Sequence, residues 1–227
     1  MPESRGWGEP RLRAALAVYV LTDRAAAGGR AEVEMAAGVI AGGATALQLR
    51  AKGRSGRELC ALGSCLARLC RERGVLFMVN DRLDVALACG ADGVHLGQDD
   101  VPVAAARRIG GDQLVIGASA ATPEEAVVAW RAGANYLGVG ALFATGTKPD
   151  AGAPIGPAGL RAVIGSTPLP VVAIGGLRPE NVAVAVAAGA AGVAAISAVV
   201  AAADIEAATR RLASAVGDAQ RVAGGSA

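Results

Sequence analysis

Short runs of apolar, β-branched-rich residues alternate with Ala-rich segments of helical composition from about residue 17 onward. Most of the runs close on a polar or Gly-containing stretch, which is typical of buried parallel strands. The pattern predicts eight strands, at Ala17–Leu21, Ala46–Leu49, Leu76–Val79, Gly93–Leu96, Leu114–Gly117, Tyr136–Val139, Val171–Ile174 and Gly192–Ile196.

The segments between the strands predict helices, among them Arg57–Arg73, Pro123–Ala132 and Pro179–Ala188. Pro123 and Pro179 stand where proline is favoured in the first turn of a helix. Thr122 offers a side-chain cap before the first of these two helices.

One short phrase recurs where a helix ends and a strand begins. It reads Gly90-Ala91-Asp92-Gly93, Gly133-Ala134-Asn135-Tyr136 and Gly189-Ala190-Ala191-Gly192. The first glycine of each phrase would adopt the left-handed conformation that ends a helix. Eight strands alternating with helices favour a single (β/α)8 TIM barrel over an open doubly wound sheet, which usually has five or six strands.

The length of 227 residues suits one barrel domain, with residues 1–13 and 217–227 expected to be flexible segments. Hydrophobic residues make up 53% of the chain and charged residues 19%, so there is ample material for a core. A net charge of +2 without a long basic run argues against nucleic acid or an anionic membrane as partners.

The stretch Met1–Arg13 lacks the apolar segment of a secretory signal, which indicates a cytoplasmic protein. No charge lies between Glu180 and Asp204, but Ala dominates there and glycines interrupt it, which favours packed soluble layers over a membrane span. The cysteines are interpreted as reduced thiols rather than metal ligands, because no Cys-x-x-Cys occurs and the chain has one His. These are Cys60, Cys65, Cys70 and Cys89.

In a barrel of this kind, function collects in the loops that follow the strands. The stretch Gln48-Leu49-Arg50-Ala51-Lys52 follows the second strand, and its alternation aims an amide and two cations to one side. Asn80-Asp81 follows the third strand and Gly97-Gln98-Asp99-Asp100 the fourth. Close carboxylates are costly unless a cation or a proton neutralises them, and Asp81 and Asp100 fit a Mg²⁺ site for a diphosphate. Asp99 is interpreted as a helix cap, the ordinary role of a lone Asp there.

The later strand ends carry hydroxyls, glycines and one lysine. Ser119 follows the fifth strand, and Thr145-Gly146-Thr147-Lys148 follows the sixth, where Lys148 would be a point charge on phosphate oxygens. Gly175-Gly176 and Ile196-Ser197-Ala198 follow the last two strands, the usual phosphate site of such barrels. The loops after the sixth, seventh and eighth strands therefore predict a second anion site, for a phosphomonoester.

Two residues inside strands remain open to more than one interpretation. His95 is the only histidine, and a hydrogen-bonded interior role is favoured over that of a general base. Tyr19 on the first strand either lines the pocket or fills the core.

Taken in order, these strand ends resemble the thiamine phosphate synthase family over nearly all of residues 17–215. The resemblance rests on motifs at seven strand ends, namely Gln48-x-Arg50-x-Lys52, Asn80-Asp81, Val94-His95-Leu96-Gly97-Gln98-x-Asp100, Gly117-x-Ser119, Thr145-x-Thr147-Lys148, Ile174-Gly175-Gly176 and Ile196-Ser197-Ala198. Ala144 departs from the family, which commonly has Pro before the first Thr of that loop.

The resemblance implies a transferase that joins hydroxymethylpyrimidine diphosphate to a thiazole phosphate, plain or carboxylated, forming thiamine phosphate and releasing diphosphate. It implies Mg²⁺ on Asp81 and Asp100, and contacts to the pyrimidine diphosphate from Gln48, Leu49, Arg50, Ala51, Lys52, Asn80, Ser119 and Lys148. It implies contacts to the thiazole phosphate from Thr145, Gly146, Thr147, Gly176, Ile196 and Ser197. The groups expected to act on the reacting diphosphate are Lys148, Ser119, Arg50 and Lys52.

Two other functions remain as alternatives. The related thiazole tautomerase shares the barrel and phosphate pocket but is expected to lack much of the diphosphate and metal set, which this chain retains. A non-catalytic phosphate-ligand sensor would need a DNA-binding motif or partner helix, and none is evident. The sequence leaves the oligomeric state open, a homo-oligomer included.

Overall fold

A computed structural model describes residues 6–147 and 152–225 of the chain. Eight parallel strands pair in sequential order and close into a barrel, with β1 bonded to β8. The strands are β1 Val18–Leu21, β2 Ala46–Leu49, β3 Leu76–Asn80, β4 Gly93–Leu96, β5 Val115–Ala120, β6 Tyr136–Val139, β7 Val171–Ile174 and β8 Gly192–Ala195. The predicted (β/α)8 TIM barrel is confirmed.

Helices α2 to α8 occupy the connections between strands, α1 precedes β1, and α9 and α10 follow β8. Their bounds are α1 Glu9–Ala15, α2 Glu32–Ala41, α3 Gly56–Glu72, α4 Leu83–Cys89, α5 Val103–Gly110, α6 Pro123–Arg131, α7 Gly156–Gly165, α8 Val182–Ala187, α9 Ser197–Val200 and α10 Ile205–Gly224. Among the described residues, none of these helices has the length and apolarity that a membrane span requires.

Strand β5 shows the largest difference from its predicted bounds. The predicted strand ends at Gly117, but the observed strand continues to Ala120. The continuation is held by β6, where Ser119 pairs with Gly138 and Ala120 with Val139. The neighbouring strand therefore decides where this strand ends.

Of the two prolines predicted to lie in the first turn of a helix, one does and the other does not. Pro123 lies in the first turn of α6, and Thr122 caps it by accepting a hydrogen bond from the Glu125 N–H at 3.2 Å, both as predicted. The prediction for Pro179 was wrong, because α8 begins at Val182. Asn181 closes the preceding turn instead, since its Oδ1 accepts from the Arg178 N–H at 2.8 Å.

The recurrent corners have the predicted backbone conformation. Gly90, Gly133 and Gly189 have φ of 68°, 96° and 102°, in the region that favours glycine. At each corner, three or four residues separate the end of the helix from the start of the next strand.

Apolar residues form two layers because strand side chains alternate in direction. One layer lies between the barrel and its helices, and the second fills the barrel interior with residues such as Tyr19, Met78 and Tyr136. Leu12 and Leu16, on α1 and directly after it, belong to the interior layer. Helix α1 therefore packs into the barrel through residues that precede its first strand.

The two segments predicted to be flexible ends contain helix. Helix α1, Glu9–Ala15, begins inside the segment 1–13, and α10 extends to Gly224, inside the segment 217–227. The prediction is corrected within α1, because Leu12 is buried and ties this helix to the barrel. Val216, the last buried residue of α10, precedes the second segment, whose flexibility stays a prediction.

All four cysteines are free thiols. Cys70 and Cys89 are buried, while Cys60 and Cys65 are partly exposed.

Candidate active site

A cavity of about 750 Å³ opens at the carboxyl ends of the strands, and every strand end contributes to its lining. Most of the sequence-predicted site residues meet there. They are Gln48, Arg50, Lys52, Asn80, Asp81, Asp100, Ser119, Thr145, Gly146, Thr147, Gly176, Ile196 and Ser197. Lys148 lies outside the described residues.

Leu49 and Ala51 are not among the residues that line this cavity. The Leu49 side chain is buried in the layer between barrel and helices, and Ala51 packs against the same layer. The alternation that aims Gln48, Arg50 and Lys52 inward turns these two outward.

The two predicted metal-ligand carboxylates face each other across the β3 and β4 strand ends. Desolvation raises the pKa of Asp81 to about 6, and the hydrogen bond to Asp100 and its negative charge add to that shift. Lys52 and Arg50 oppose the shift, so both cations act on the same carboxyl group. The pair is therefore a place where added positive charge would be stabilising.

The backbone holds both carboxylates in position. Asp81 has φ of 63°, uncommon for a residue other than glycine, and its N–H donates to the His95 carbonyl at 2.8 Å. Asp100 Oδ2 accepts from the Gly97 N–H at 2.7 Å. Among the described residues, no group of three or more His, Cys, Asp or Glu side chains is arranged to hold a metal ion. Two carboxylates nevertheless suit Mg²⁺, which binds through one or two such groups plus water and substrate phosphate.

The prediction that Asp99 caps a helix was wrong. Helix α5 begins at Val103, Pro102 occupies the cap position, and no side chain caps it. Asp99 instead is exposed at the edge of the cavity.

Sequence reasoning missed the residues that hold Arg50. Asp23, two residues after the end of β1, forms a largely buried ion pair with the Arg50 guanidinium, and its other oxygen accepts from the Ala26 N–H at 2.9 Å. Thr22 is fully buried, and its Oγ1 accepts from the Arg50 N–H at 3.0 Å. Their position at the end of a barrel strand was a usable signal, as it was for the other strand ends.

A second ion pair anchors the loop that carries Lys52. Arg54 donates to both oxygens of Glu32 on α2, at 3.0 and 2.8 Å from its terminal nitrogen, and Glu32 is 3% exposed. The paired, bidentate geometry gives the β2–α3 loop a fixed attachment on each side of Lys52.

Five side chains form a continuous line of hydrogen bonds across the barrel interior, which we call the relay. Its members are Gln48, Tyr19, Tyr136, His95 and Ser119, and the four successive distances are 2.7, 3.0, 3.0 and 3.1 Å. His95 is thus a hydrogen-bonded interior residue, as favoured from the sequence. Tyr19 both fills the interior and lines the cavity.

Small residues on β5 and β6 make room for the relay. A Cβ on Gly117 would lie 2.2 Å from Cζ of Tyr136, and one on Gly138 would lie 2.9 Å from Cε1 of His95. Gly117 and Tyr136 also pair across the two strands. The aromatic rings therefore occupy volume that side chains at these glycines would take.

The β6 to β8 side of the mouth is built from glycines and hydroxyls. Gly175 and Gly176 have φ of 98° and 65°, and a Cβ on Gly176 would lie 2.7 Å from the Ala144 carbonyl oxygen. Thr147 and Ser197 hydroxyls lie 2.9 Å apart, which joins the β6 and β8 loops. Asn181 supports the β7 loop by donating to the Gly176 carbonyl at 2.9 Å.

The fold and this mouth define a class of protein. It is a TIM barrel with a small-molecule pocket at the strand ends, in which cations and a carboxylate pair face glycines and hydroxyl side chains.

Comparisons with known proteins identify the family. The family model described as "Thiamine monophosphate synthase" matches residues 18–199. The "Thiamine-phosphate synthase" of Moorella thermoacetica is 52% identical over 195 residues, covering 86% of this chain and 93% of the relative. That of Methanospirillum hungatei is 46% identical over 196 residues, covering 86% and 95%.

A solved structure gives the same result. The "Thiamine phosphate pyrophosphorylase" of Pyrococcus furiosus superimposes with a TM-score of 0.85 at 44% identity, covering 92% of this chain and 98% of that one. The chain belongs to the thiamine monophosphate synthase family and is a transferase that acts on small molecules.

Proposed function

We propose that this chain joins 4-amino-2-methyl-5-hydroxymethylpyrimidine diphosphate to a thiazole phosphate, with or without its carboxyl group, and releases diphosphate. The observation that carries the proposal is one cavity with two unlike sides, one with cations and carboxylates and one with glycines and hydroxyls, in a chain about 50% identical to proteins named thiamine-phosphate synthase. Two phosphorylated substrates require two such sides.

The pyrimidine diphosphate would lie against the β2 to β5 strand ends. Arg50 and Lys52 would contact the diphosphate with Lys148, and Gln48, Asn80 and Ser119 would hold the rest of the molecule. Leu49 and Ala51 would contribute at most their backbone, since their side chains leave the cavity. Asp81 and Asp100 would hold Mg²⁺, which when bound supplies positive charge to the phosphate oxygens.

The thiazole phosphate would lie against the β6 to β8 strand ends. Its phosphate would be held by the Thr145–Thr147 loop, Gly176 and the Ile196-Ser197 pair. The glycine lets the ligand approach the backbone closely, and the hydroxyls donate hydrogen bonds to phosphate oxygens.

The reaction would be a substitution at the pyrimidine methylene carbon. The bond from that carbon to the diphosphate oxygen breaks with its electron pair on the oxygen, and the thiazole nitrogen lone pair forms the new carbon–nitrogen bond. No protein nucleophile is needed. Arg50, Lys52, Lys148 and Ser119 would stabilise charge on the departing diphosphate, and one such contact is worth roughly 10² to 10³ in rate.

The proposal also places the enzyme in the cytoplasm. Four free cysteines, two of them partly exposed, suit a reducing compartment. Cell fractionation with an antibody to the chain tests this placement, and recovery in a secreted fraction would contradict it.

The activity is tested with purified chain, Mg²⁺ and both substrates. We expect equal amounts of diphosphate and thiamine phosphate to form, and each substrate alone to give neither product. Absence of both products from protein that keeps its circular dichroism spectrum would overturn the proposal. Replacing Mg²⁺ with a chelator separates the metal assignment from the reaction, since product formation should then stop.

A further inference from the structure

The relay ends on two side chains at the cavity, so its direction determines what those ends offer a ligand. All five members line the cavity, and Gln48 and Ser119 are the two ends. Each phenol has one proton to donate, and each neutral imidazole has one N–H and one acceptor nitrogen. The direction of the first hydrogen bond therefore dictates the direction of those that follow.

The Gln48 end gives the direction. Its Nε2 donates to the Tyr19 oxygen at 2.7 Å. The Tyr19 proton is then available to the Tyr136 oxygen at 3.0 Å, and the Tyr136 proton to His95 Nδ1 at 3.0 Å. An imidazole that accepts at Nδ1 carries its proton on Nε2, which lies 3.1 Å from Ser119 Oγ.

Both phenols are suited to this role because they keep their protons. Burial raises the pKa of Tyr19 and of Tyr136 above the ordinary tyrosine value. Each is therefore a neutral group that passes on one hydrogen bond for each that it receives.

We propose that the relay holds His95 as the Nε2–H tautomer, so that Ser119 donates a hydrogen bond to the ligand and Gln48 Oε1 accepts one. Tyr136 and His95 act as positioning residues through Ser119. Ser119 Oγ accepts from the imidazole and keeps its own proton for the cavity. Gln48 is 1% exposed and its Oε1 has no hydrogen-bond partner among the described residues, so it is an acceptor held ready for a ligand N–H.

This pattern selects a class of ligand, and in that respect it rests on the proposed function. An amino-substituted heteroaromatic ring presents N–H groups for the Gln48 oxygen and ring-nitrogen lone pairs for the Ser119 hydroxyl. A ring with a carbonyl oxygen in place of the amino group would face the Gln48 oxygen with a second acceptor. The relay thus discriminates between amino and oxo rings through hydrogen-bond direction.

The opposite direction makes an opposite prediction. It requires the Gln48 amide to be turned over, the His95 proton to be on Nδ1, and Ser119 to donate to the imidazole. The cavity would then meet a donor at Gln48 and an acceptor at Ser119. The tautomer of His95 distinguishes the two directions.

The test is nitrogen-15 NMR of the imidazole, which the sequence favours because His95 is the only histidine. Tag-free, ligand-free protein at about pH 8, above the usual histidine pKa, should show a protonated Nε2 and an unprotonated, hydrogen-bonded Nδ1. A proton on Nδ1, alone or together with one on Nε2, overturns the proposal. This readout needs no activity, so it fails independently of the proposed function.

Two matched variants sharpen the readout. Tyr19→Phe should leave the tautomer unchanged, because Tyr136 still donates to Nδ1, whereas the opposite direction predicts that the proton moves to Nε2. Tyr136→Phe should shift the Nδ1 resonance toward that of a free acceptor. A tautomer change in Tyr19→Phe, or an unmoved Nδ1 resonance in Tyr136→Phe, overturns the proposal.

Kinetics give a second readout for Tyr136→Phe. Because one neutral hydrogen bond in the relay is lost, we expect kcat/KM for the pyrimidine diphosphate to fall about 3- to 10-fold, with the KM for thiazole phosphate unchanged. The phenylalanine ring still fills the space beside Gly117, so the fold is retained. Equal losses toward both substrates would indicate a merely structural role and overturn the assignment of Tyr136.

Discussion

The two sides of the barrel mouth are made of different kinds of groups. The charged half, from the β2 to β4 strand ends, presents Arg50, Lys52, Asp81 and Asp100. The glycine half, from the β6 to β8 strand ends, presents the Thr145–Thr147 loop, Gly175, Gly176 and Ser197. The first depends on side chains whose charges act on one another, and the second on backbone that a side chain would obstruct.

The difference teaches how each half responds to change. In the charged half, burial and then the neighbouring Asp100 carboxylate raise the pKa of Asp81, so a bound cation relieves an existing cost. In the glycine half, shape is the main property, because a Cβ at Gly176 meets backbone 2.7 Å away. Removing a carboxylate from the charged half should therefore lower turnover, and adding a side chain in the glycine half should weaken substrate binding.

The largest effect is expected from Asp81→Ala. Losing one carboxylate of the pair should lower kcat roughly 10²- to 10³-fold and leave the KM for thiazole phosphate within about twofold. Steady-state kinetics with each substrate varied in turn provide the measurement. Asp84→Ala is the matched control, because Asp84 is exposed and pairs with Arg82 outside the cavity. Comparable losses in both variants would remove the distinction between the halves.

The next largest effect is expected from Gly176→Ala. The positive φ and the 2.7 Å approach to the Ala144 oxygen should displace the β7 loop and raise the KM for thiazole phosphate about 10- to 100-fold. Gly111→Ala is the control, because Gly111 has φ of 66° with nothing near its Cβ and does not line the cavity. Should Gly176→Ala change only the pyrimidine diphosphate parameters, the phosphate pocket would be misassigned.

A smaller effect is expected from Thr22→Val, which removes a buried hydroxyl and keeps the side-chain shape. The Arg50 N–H would lose its partner, which should lower the free energy of unfolding by about 1–2 kcal/mol and raise the KM for the pyrimidine diphosphate severalfold. Thr209→Val is the control, since Thr209 is equally buried but bonds within α10. An unchanged KM in Thr22→Val would show that Thr22 does not position Arg50.

The smallest effect concerns pH and the stability of metal-free protein. Because folding raises the pKa of Asp81 from 3.8 to about 6, the folded state binds the proton more tightly, and stability falls as pH rises between those values. Asp81→Asn should therefore stabilise the chelator-treated protein by about 1 kcal/mol near neutral pH, allowing for solvent screening. Thermal unfolding at about pH 4.5 and 7 measures this difference.

Asp84→Asn is the control for this measurement, because the pKa of Asp84 is shifted in the opposite direction. Arg82 lowers the pKa of Asp84, so this carboxylate contributes stability above its unfolded pKa that is lost as pH falls. Asp84→Asn should thus be no more stable than the parent chain near neutral pH. A stabilised Asp84→Asn together with an unchanged Asp81→Asn would contradict both assignments.

Local patterns in the sequence were enough to predict the strands and many of the residues that line the cavity. Strands β2, β4, β6 and β7 have the predicted bounds, because a short apolar run between polar turns leaves little freedom for a buried strand. The alternation of Gln48, Arg50 and Lys52 placed all three on the cavity side. Successive side chains point to opposite sides in any strand, so this alternation can be predicted without knowing which strands lie beside it.

The errors arose where a distant residue decides the outcome. Strand β5 continues past Gly117 because β6 pairs with it. Pro179 lies in a turn before α8, and this turn is stabilised by the Asn181 side chain. Helix α1 was taken for part of a flexible end because its partner layer is the barrel interior, which no local pattern displays.

By itself, the sequence determined the number and order of the strands, the corners between them and the chemical types at each strand end, because these follow from local periodicity and glycine conformation. Closure of the barrel decided the rest, because it brings together residues far apart in the chain. Asp23 meets Arg50, Thr147 meets Ser197, and His95 meets Tyr136. Hydrogen-bond direction, burial and charge coupling depend on such distances, so only the tertiary structure sets them.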